Sequence, residues 1–535
     1  MSQRAEVAIV GAGPVGLVLA NLLGVHGVRT IVLERNTGTV DEPRAIAIDA
    51  ESLRTVQALG LYEQVAAECM LGFDAEYVDA SGARLFQVAL RETPYGHAQQ
   101  NAFDQPVLER QLLDGLARFP HVTVRFRNTL EGFTQEADGV RLAARGVDGE
   151  PRTLRADFLV GCDGGRSTVR AALGIAMRGA TAPQRWLVID TLDPHLADTL
   201  PCRFFCDPAR PGMTLRKLHG KRRWEWMLLP GETDAQLLDD ATIRDLLARW
   251  TRPEQVRIER KCVYTFHSIV ADRYRAGRAL LAGDAAHMMP PFAGQGMNGG
   301  VRDAANLAWK LWAVLRGHAA AELLDTYQLE RREHVIAATR LANQLGAVIQ
   351  PTAWWMALLR DAFFTAVNAT SWGREWFESW LGASLRVPRL HAGVFVPHGG
   401  REGTPAPLAG QMLVQPRVLG GDGREVPLDE LLGPGFAVLG YGDDPRALDA
   451  DTRAYWTGLG ARLVRVVPAG TAAALATDEA VTEAVDVTGA LGAFVGDHPA
   501  RLLAIRPDRF CAAQFTPEDA PGALAAFRAL LRPAT

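Results

Sequence analysis

The chain has 535 residues, of which 48% are hydrophobic and 22% charged. This composition is typical of a folded globular protein, and the length suits about three to four domains. A net charge of −4 argues against a strongly basic surface, so we expect no nucleic-acid partner. No apolar run reaches the roughly 18–20 residues that a membrane span requires, so we expect no such span.

The six cysteines are scattered and show neither a C-x-x-C pair nor metal-ligand spacing. We therefore expect no metal site and no redox-active disulfide. The first ten residues lack the basic and apolar regions of a secretory signal. Together these features predict a protein of the reducing cytoplasm.

A glycine-rich turn follows the first apolar segment of the chain. Residues 6–10 (EVAIV) have the character of a buried strand, and Gly11, Gly13 and Gly16 follow in a G-x-G-x-x-G pattern. In such a turn the first glycine permits the bend, the second admits a pyrophosphate, and the third allows close helix packing. Glu34 ends the next apolar strand, where a carboxylate can bind ribose hydroxyls. The pattern predicts a dinucleotide site, but NAD and FAD would both fit it.

Two later motifs each place an acidic residue at the end of an apolar strand. Asp163 lies in DFLVGCDGGRSTVR, and Asp284 lies in RALLAGDAAHMMPPFAGQGMNGG. Open α/β sheets bind their ligands at the carboxyl ends of strands, so both carboxylates are candidates for ligand contacts. A helix is predicted to begin near Met297 and Asn298. Its first N–H groups would stabilise negative charge on the edge of a reduced flavin ring.

In this order and spacing, the three motifs resemble the single-component FAD-dependent aromatic hydroxylases of the p-hydroxybenzoate hydroxylase class. The resemblance covers about residues 1–345. Segments 206–212 (CDPARPG) and 222–232 (RRWEWMLLPGE), with the third motif, are similar to the 3-(3-hydroxyphenyl)propionate hydroxylases within that class. The resemblance implies non-covalent FAD, with NADH or NADPH as a transient co-substrate and NADH favoured. It also implies O2-dependent hydroxylation of a phenolic acid ortho to its hydroxyl, through a C4a-hydroperoxyflavin.

The resemblance implies further contacts to the flavin. Arg44 matches the family's flavin-proximal arginine, and Gln105 matches a glutamine near the ribityl chain. Pro291 matches a residue that borders the flavin ring and the substrate, and it is the candidate catalytic position. The expected FAD-binding residues are Gly11, Gly13, Gly16, Glu34, Arg35, Arg44, Gln105, Asp163, Asp284, Pro291, Gly296, Met297 and Asn298.

The substrate-binding residues are less defined by the sequence. Side chains alternate along a strand, so Trp224 and Trp226 share one face and Arg223 lies on the other; either face could line the pocket. A propionate group favours an arginine, because the guanidinium fork binds a carboxylate in a bidentate manner. Arg216 and Arg223 are therefore candidates. His287 is a possible acid–base group, although in the family its position supports the loop.

The order of segments predicts four structural parts. Residues 1–180 and 269–345 form a Rossmann-like α/β FAD-binding domain, and residues 181–268 form an inserted antiparallel sheet for the substrate. Residues 346–395 form a helical connector. Residues 396–535 form a thioredoxin-like domain, which lacks C-x-x-C and is expected to support the scaffold or an oligomer contact, such as that of a homodimer.

Two other functions stay open on sequence grounds. A tailoring hydroxylase of a polycyclic aromatic natural product would carry the same three motifs. A regulatory or scaffold protein could bind the flavin without turnover, although the intact Asp163, Asp284 and Asn298 argue against that reading.

Overall fold

The computed structural model describes residues 3–40, 44–193, 202–385, 389–399, 405–471 and 480–532. Its strands are β1 (Gln3–Val10), β2 (Thr30–Leu33), β3 (Ala47–Asp49), β4 (Met70–Leu71), β5 (Ala75–Val78), β6 (Arg84–Val88), β7 (Gln100–Ala102), β8 (Val122–Arg125), β9 (Thr129–Glu136), β10 (Gly139–Arg145), β11 (Pro151–Gly161), β12 (Met177–Leu192), β13 (Cys202–Phe205), β14 (Gly212–Arg216), β15 (Lys221–Met227), β16 (Arg257–Ala271), β17 (Arg275–Ala276), β18 (Ala279–Leu281), β19 (His287–Met288), β20 (Arg417–Gly420), β21 (Glu425–Pro427), β22 (Ala437–Tyr441), β23 (Arg462–Pro468), β24 (Thr482–Asp486), β25 (Leu502–Ile505) and β26 (Cys511–Phe515).

The helices lie between these strands and, in one long block, between the second and third sheets. They are α1 (Pro14–Val25), α2 (Ala50–Ala58), α3 (Tyr62–Ala66), α4 (Gln105–Gly115), α5 (Thr168–Ala172), α6 (Asp234–Leu237), α7 (Asp240–Ala248), α8 (Gln295–Leu315), α9 (Asp325–Ile349), α10 (Trp354–Asn368), α11 (Ser371–Leu385), α12 (Leu428–Leu432), α13 (Ala450–Gly458), α14 (Ala490–Val495) and α15 (Ala520–Leu531). Among the described residues, no helix combines the length and the apolar character that crossing a membrane would take.

The first sheet positions the three motifs at one edge. Its central strands run in the order β18–β11–β1–β2 and are parallel, with helices α1 and α8 packed beside them. Their last residues are in register: Val10 pairs with Leu33 and with Gly161, and Gly161 pairs with Leu281. Because parallel strands end at the same edge, the turns that carry the glycines, Glu34, Asp163 and Asp284 all meet there.

The second sheet has eight strands in the order β19–β16–β12–β15–β14–β13–β5–β6. Its described junctions are antiparallel except β13–β5, which is parallel, so the sheet is mixed where we expected an antiparallel one. The hairpin β5–β6 comes from the segment that we assigned to the FAD-binding domain. Aromatic stacking holds it in place, because the Tyr77 ring lies 4.1 Å from Phe86 and 4.5 Å from Phe204. The exact domain boundaries remain predictions.

The C-terminal part forms a seven-stranded sheet in the order β21–β20–β24–β23–β22–β25–β26. Strands β22, β23 and β24 are parallel, and β25 and β26 are antiparallel. Trp309 of α8 packs edge-on against Phe436 at 5.6 Å, and the fully buried Glu330 of α9 pairs with Arg506 at 2.7 Å. These contacts join the C-terminal domain to the FAD-binding domain. Its thioredoxin-like character stays a prediction.

Candidate active site

The glycine turn after β1 combines two close backbone approaches with one open position. Gly11 has φ of +104°, and a Cβ there would lie 2.4 Å from the carbonyl oxygen of Cys162. A Cβ on Gly16 would lie 2.0 Å from the carbonyl oxygen of Gly11. A Cβ on Gly13, in contrast, would meet no atom within 4 Å. Gly11 and Gly16 therefore serve the packing of the turn, whereas Gly13 leaves space beside the helix for a ligand.

Helix α1 begins directly after this open space. Gly13 occupies its N-cap, and no side-chain cap from the described residues binds its first N–H groups. Uncapped N–H groups and the helix dipole make such a terminus a binding site for phosphate. The turn therefore fits the pyrophosphate of a dinucleotide.

Glu34 closes the same turn from β2. Its carboxylate accepts hydrogen bonds from the backbone N–H groups of Ala12 at 2.9 Å and Asn36 at 2.8 Å. A carboxylate has about four lone-pair sites, so further acceptor capacity remains for ribose hydroxyls. Arg35 is exposed beside it. Both residues therefore lie where a nucleotide contact is expected, and the contact itself stays a prediction.

Asp163, which follows β11, makes hydrogen bonds within the protein. Its Oδ2 atom accepts hydrogen bonds from the N–H groups of Thr168 at 2.7 Å and Val169 at 3.1 Å, at the start of α5. Its Oδ1 atom is buried and has no hydrogen-bond partner among the described residues. Oδ1 is the atom left for a cofactor contact, which stays a prediction.

Asp284 and Arg44 lie close enough to influence each other. Asp284 follows β18 and has an exposed side chain. The protein around the carboxylate reduces its solvation and so raises its pKa, whereas the charges of His287 and Arg44 lower the pKa by a smaller amount. The backbone N–H of Arg44 donates to Gln105 Oε1 at 3.0 Å, and its carbonyl accepts from Arg223 at 2.7 Å. The backbone of Arg44 is therefore fixed from two sides, next to an acid that faces open space.

The side chain of Gln105 makes hydrogen bonds to other residues of the protein. Its Oε1 atom accepts from the N–H groups of Arg44 and Ala45, and its Nε2 atom donates to Glu109 at 2.7 Å. The structure thus gives Gln105 a role in holding the Arg44 loop. Contact with a ribityl chain stays a prediction.

The third motif ends in the first turn of α8. The side chain of Asn298 is used internally: it accepts from Ser52 Oγ at 2.7 Å and donates to the carbonyl of Gly294 at 2.7 Å. A Cβ on Gly296 would meet no atom within 4 Å. No side-chain cap from the described residues binds the start of α8. The N–H groups around Gly296 and Met297 therefore lie at an uncapped helix start with open space beside Gly296, which fits the anionic edge of a flavin ring.

His287 belongs to a buried network beneath α8. Its Nε2 atom lies 2.6 Å from Asp303, which also binds Arg331 at 2.9 Å. Although burial disfavours the charge of Asp303, His287 and Arg331 lower its pKa. This arrangement matches the loop-supporting role that the resemblance implied for His287.

A cavity of about 170 Å3 lies beside the third motif. The segment from Pro291 to Asn298 forms one wall, and side chains of β5, β13 and β14 form the other. Its residues include Tyr77, Phe204, Met213, Leu215, Pro291 and Asn298. We take it as the candidate substrate cavity, because it is largely apolar and touches the predicted flavin site.

The candidate cavity does not include Trp224 and Trp226, so their predicted contact with the substrate stays a prediction. Both side chains are buried in a separate cluster, which includes Ile243 and Leu247 of α7, and neither lines the cavity. Helix α7 covers that face of the sheet, so the opposite face is turned to the cavity. The sequence showed the alternation of faces but could not show which of them α7 covers.

The two arginine candidates do not line the cavity either. Arg216 pairs across the sheet with Arg222, while its neighbour Leu215 pairs with Arg223 and lines the cavity. Adjacent residues of a strand face opposite sides, so Arg216 lies on the far face. Arg223 is on the near face, but its guanidinium binds Asp190 at 2.9 and 2.7 Å. Neither arginine lines this cavity, and the substrate-binding role of each stays a prediction.

Sequence reasoning missed the cation that does line the cavity. Among the described lining residues, only Arg302 is basic. It donates to Glu51 at 3.0 Å, to Gln295 at 2.8 Å and to Asp49. Arg302 comes four residues after Asn298 on α8, so helical spacing would have placed both on one side.

Comparison with known proteins shows the family to which the chain belongs. The FAD binding domain family model matches residues 4–342, and the HcaD C-terminal domain model matches residues 410–530. The 3-(3-hydroxy-phenyl)propionate/3-hydroxycinnamic acid hydroxylase of Mycobacterium sp. (strain JLS) is 42% identical over 522 residues, covering 96% of this chain and 90% of that protein. The protein of the same name from Klebsiella pneumoniae (strain 342) is 39% identical, covering 97% of this chain and 93% of that protein.

A solved structure shares the whole fold. The ternary complex of aklavinone-11 hydroxylase with FAD and aklavinone has a TM-score of 0.80 and 24% identity, and 99% of each chain is covered. The predictions of the family, of FAD and of an enzyme are confirmed, and the regulatory or scaffold alternative is not supported. The chain belongs to the family of FAD-dependent aromatic hydroxylases, the flavoprotein monooxygenases that use NAD(P)H as reductant.

Proposed function

We propose that this enzyme hydroxylates 3-(3-hydroxyphenyl)propionate or 3-hydroxycinnamate ortho to the phenolic hydroxyl. The carrying observation is the 42% identity, across 96% of the chain, to a hydroxylase named for these two acids. In the balanced reaction, substrate, O2, NAD(P)H and a proton give the dihydroxy acid, water and NAD(P)+. Because it consumes NAD(P)H, the reaction belongs in the cytoplasm.

The chain's own residues hold the cofactor and its charge. The N-terminus of α1 beside Gly13 would bind the pyrophosphate, and Glu34 would bind the ribose hydroxyls. The N–H groups around Gly296 and Met297 would stabilise negative charge on the ring edge, because a helix N-terminus carries the positive end of the helix dipole. When bound, FAD supplies hydride acceptance and oxygen activation.

The cavity orients the substrate. Tyr77, Phe204 and Leu215 supply apolar walls that would exclude water, and Pro291 also lines the cavity, where it would border the reacting ring. The Oε1 atom of Gln100 is buried in the cavity wall and has no hydrogen-bond partner among the described residues. We assign it the phenolic hydroxyl, since a buried acceptor without a donor is costly.

Arg302 is the candidate for the carboxylate of the substrate. Its guanidinium is held between Asp49 and Glu51, which fixes its orientation. Burial raises the pKa of Glu51, although the paired charge of Arg302 lowers it. A charge-assisted hydrogen bond to the propionate then selects acids over neutral phenols.

A small substrate suits the size of the cavity. Its volume of about 170 Å3 is below the roughly 300–1,000 Å3 of pockets that hold drug-sized ligands. This favours a single ring with a short side chain over the polycyclic substrate of a tailoring hydroxylase.

The test is a substrate panel with NADH and NADPH, in which reductant oxidation is compared with hydroxylated product under 18O2. We expect 3-(3-hydroxyphenyl)propionate to accelerate NADH oxidation and to gain one labelled oxygen ortho to its hydroxyl. Tight coupling with a polycyclic phenol, and none with the phenylpropionate, would instead assign the enzyme to tailoring chemistry.

A further inference from the structure

Helices α10 and α11 carry an unusual concentration of exposed apolar side chains. Thirteen large hydrophobic side chains are exposed among the described residues, and nine of them lie between Trp354 and Trp380. We call the exposed apolar side chains of residues 354–363 and 372–380 the aromatic hairpin surface. Exposing this many tryptophan side chains to water is unfavourable in free energy, and such an exposed apolar surface indicates an interaction site.

The area of this surface is large. Trp354 and Trp372 are each 73% exposed, Trp355 is 53% exposed, and Phe363 and Trp376 are about half exposed. At 150–250 Å2 per aromatic side chain, these five alone present about 450–750 Å2. The largest apolar patch on a typical monomer is about 300–600 Å2, whereas each partner in a standard interface contributes about 800 Å2.

The opposite side of the hairpin is packed, which fixes the outward face. Phe364 of α10 and Phe377 of α11 are buried, with ring centroids 4.9 and 5.1 Å from Phe86 of the second sheet. Rotating either helix to hide its tryptophans would expose these rings. The surface is therefore a consequence of the fold and not of a loosely attached segment.

Charge on the hairpin does not favour an anionic lipid surface. Residues 354–380 contain two arginines and three acidic residues, without lysine. Both arginines have local partners: Arg360 donates to the carbonyl of Cys206, and Arg374 donates to the carbonyl of Asn368. Helices that lie on membranes are rich in lysine and arginine on their polar face. A surface of Trp, Phe and Met with few charges resembles the core of a protein interface.

We propose that a second copy of this chain covers the aromatic hairpin surface in a dimer with two-fold symmetry. A two-fold interface brings one patch against itself, and this patch is apolar enough to be self-complementary. Trp372 and Trp376 lie one helical turn apart, which forms a ridge that can enter the groove between α10 and α11 of the partner. Arg374 and Glu375 are neighbours, so both signs of charge are available for pairing across the axis.

Sedimentation of the full-length, FAD-loaded enzyme tests this proposal across concentrations into the micromolar range. The double variant Trp354→Glu/Trp372→Glu places charges in the surface, and Leu329→Glu on α9, at a side chain that is 54% exposed, is the matched control. We expect dimers for wild type and control. For the double variant we expect at least a roughly 100-fold weaker dimer, because interface tryptophans dominate binding energies.

The variants must keep FAD content and melting temperature, since both positions are exposed. If the double variant loses either, Trp355→Lys carries the same expectation at a third exposed site. A wild type that stays monomeric throughout, or a folded double variant that stays dimeric, overturns the proposal. So does a monomer that floats with phosphatidylcholine vesicles, because that result assigns the surface to a membrane.

Discussion

Arg223 and Asp190 form a bidentate ion pair between strands β15 and β12, with distances of 2.9 and 2.7 Å, and both side chains are almost fully buried. Arg223 also donates to the carbonyl of Arg44 at 2.7 Å. The pair therefore links the second sheet to the loop that carries Arg44, the arginine predicted to lie near the flavin. Arg223 lies on the cavity face of the sheet, but these contacts give its side chain a structural role.

Replacing Arg223 by Met should destabilise the protein by about 1.5–3 kcal/mol, because the buried Asp190 would lose its bidentate partner and keep the more distant cations of Lys217 at 3.6 Å and Arg260 at 3.5 Å. The change should also weaken FAD binding, since the Arg44 loop loses one anchor. Chemical unfolding and flavin release measure the two effects. Arg178→Ala is the control: its pair with Asp272 is exposed, so its loss should cost no more than about 1 kcal/mol. Equal effects of both variants would contradict the assignment.

Gly13→Val should abolish stoichiometric FAD binding while the apoprotein still folds. The added side chain meets no protein atom within 4 Å and occupies the space assigned to the pyrophosphate. Flavin absorbance after purification, together with the circular dichroism melting curve, decides the outcome. Gly132→Val, at another glycine with open surroundings, should retain full FAD. A yellow, stoichiometric Gly13→Val protein would remove this turn from the cofactor site.

Asp284→Ala should weaken FAD without unfolding the protein, because the exposed carboxylate contributes a ligand contact and little packing. Losing a charge-assisted hydrogen bond costs about 1.5–3 kcal/mol, which corresponds to roughly 10- to 150-fold in affinity. Flavin dissociation is the measurement, with circular dichroism as the check on folding. Wild-type affinity in a folded variant would show that Asp284 does not contact FAD.

Arg302→Gln should raise KM for 3-(3-hydroxyphenyl)propionate by about 10- to 150-fold and leave KM for its neutral amide nearly unchanged. The reason is that only the acid pairs with the guanidinium. NADH oxidation matched to catechol formation, measured with both compounds, separates carboxylate recognition from general damage. If wild type uses acid and amide equally well, the carboxylate is not recognised. If Arg302→Gln impairs both compounds equally, Arg302 acts only on the structure of the site.

The stability of the protein should fall as the pH rises towards neutrality because of Glu225. Burial raises the pKa of Glu225 to about 7, against the opposing charge of Arg223. A pKa raised in the folded state means that folding favours the protonated form. That contribution is complete below the ordinary pKa and is lost as the pH rises through about 7. Urea unfolding from about pH 5 to pH 8 should show the decline for wild type and a flatter profile for Glu225→Gln; parallel profiles would refute it.

The sequence predicted the fold well where a turn between a strand and a helix requires particular residues. The glycines after β1, with Asp163 and Asp284 after β11 and β18, lie along one sheet edge because parallel strands end in register. The family and the cofactor followed from those motifs.

The sequence could not decide those features that depend on long-range packing. Strand alternation placed Trp224 and Arg223 on opposite faces, but the position of α7 decided which face was covered. Similarly, nothing local to β5 indicated that it would pair with β13 across more than a hundred residues. Arg302 escaped notice because its role depends on Asp49 and Glu51, which only the fold brings to it.

Helix α8 has 21 residues and is therefore about 31 Å long. Its first turn carries Asn298 at the predicted flavin site, Arg302 lines the cavity, and Trp309 packs against the C-terminal domain. Next to Trp309 on the same helix, Lys310 pairs with the buried Glu330, which also pairs with Arg506 of the C-terminal domain. The C-terminal domain is consequently not an exchangeable module: a chimera that takes it from a relative must also inherit compatible residues at positions 309, 310 and 330.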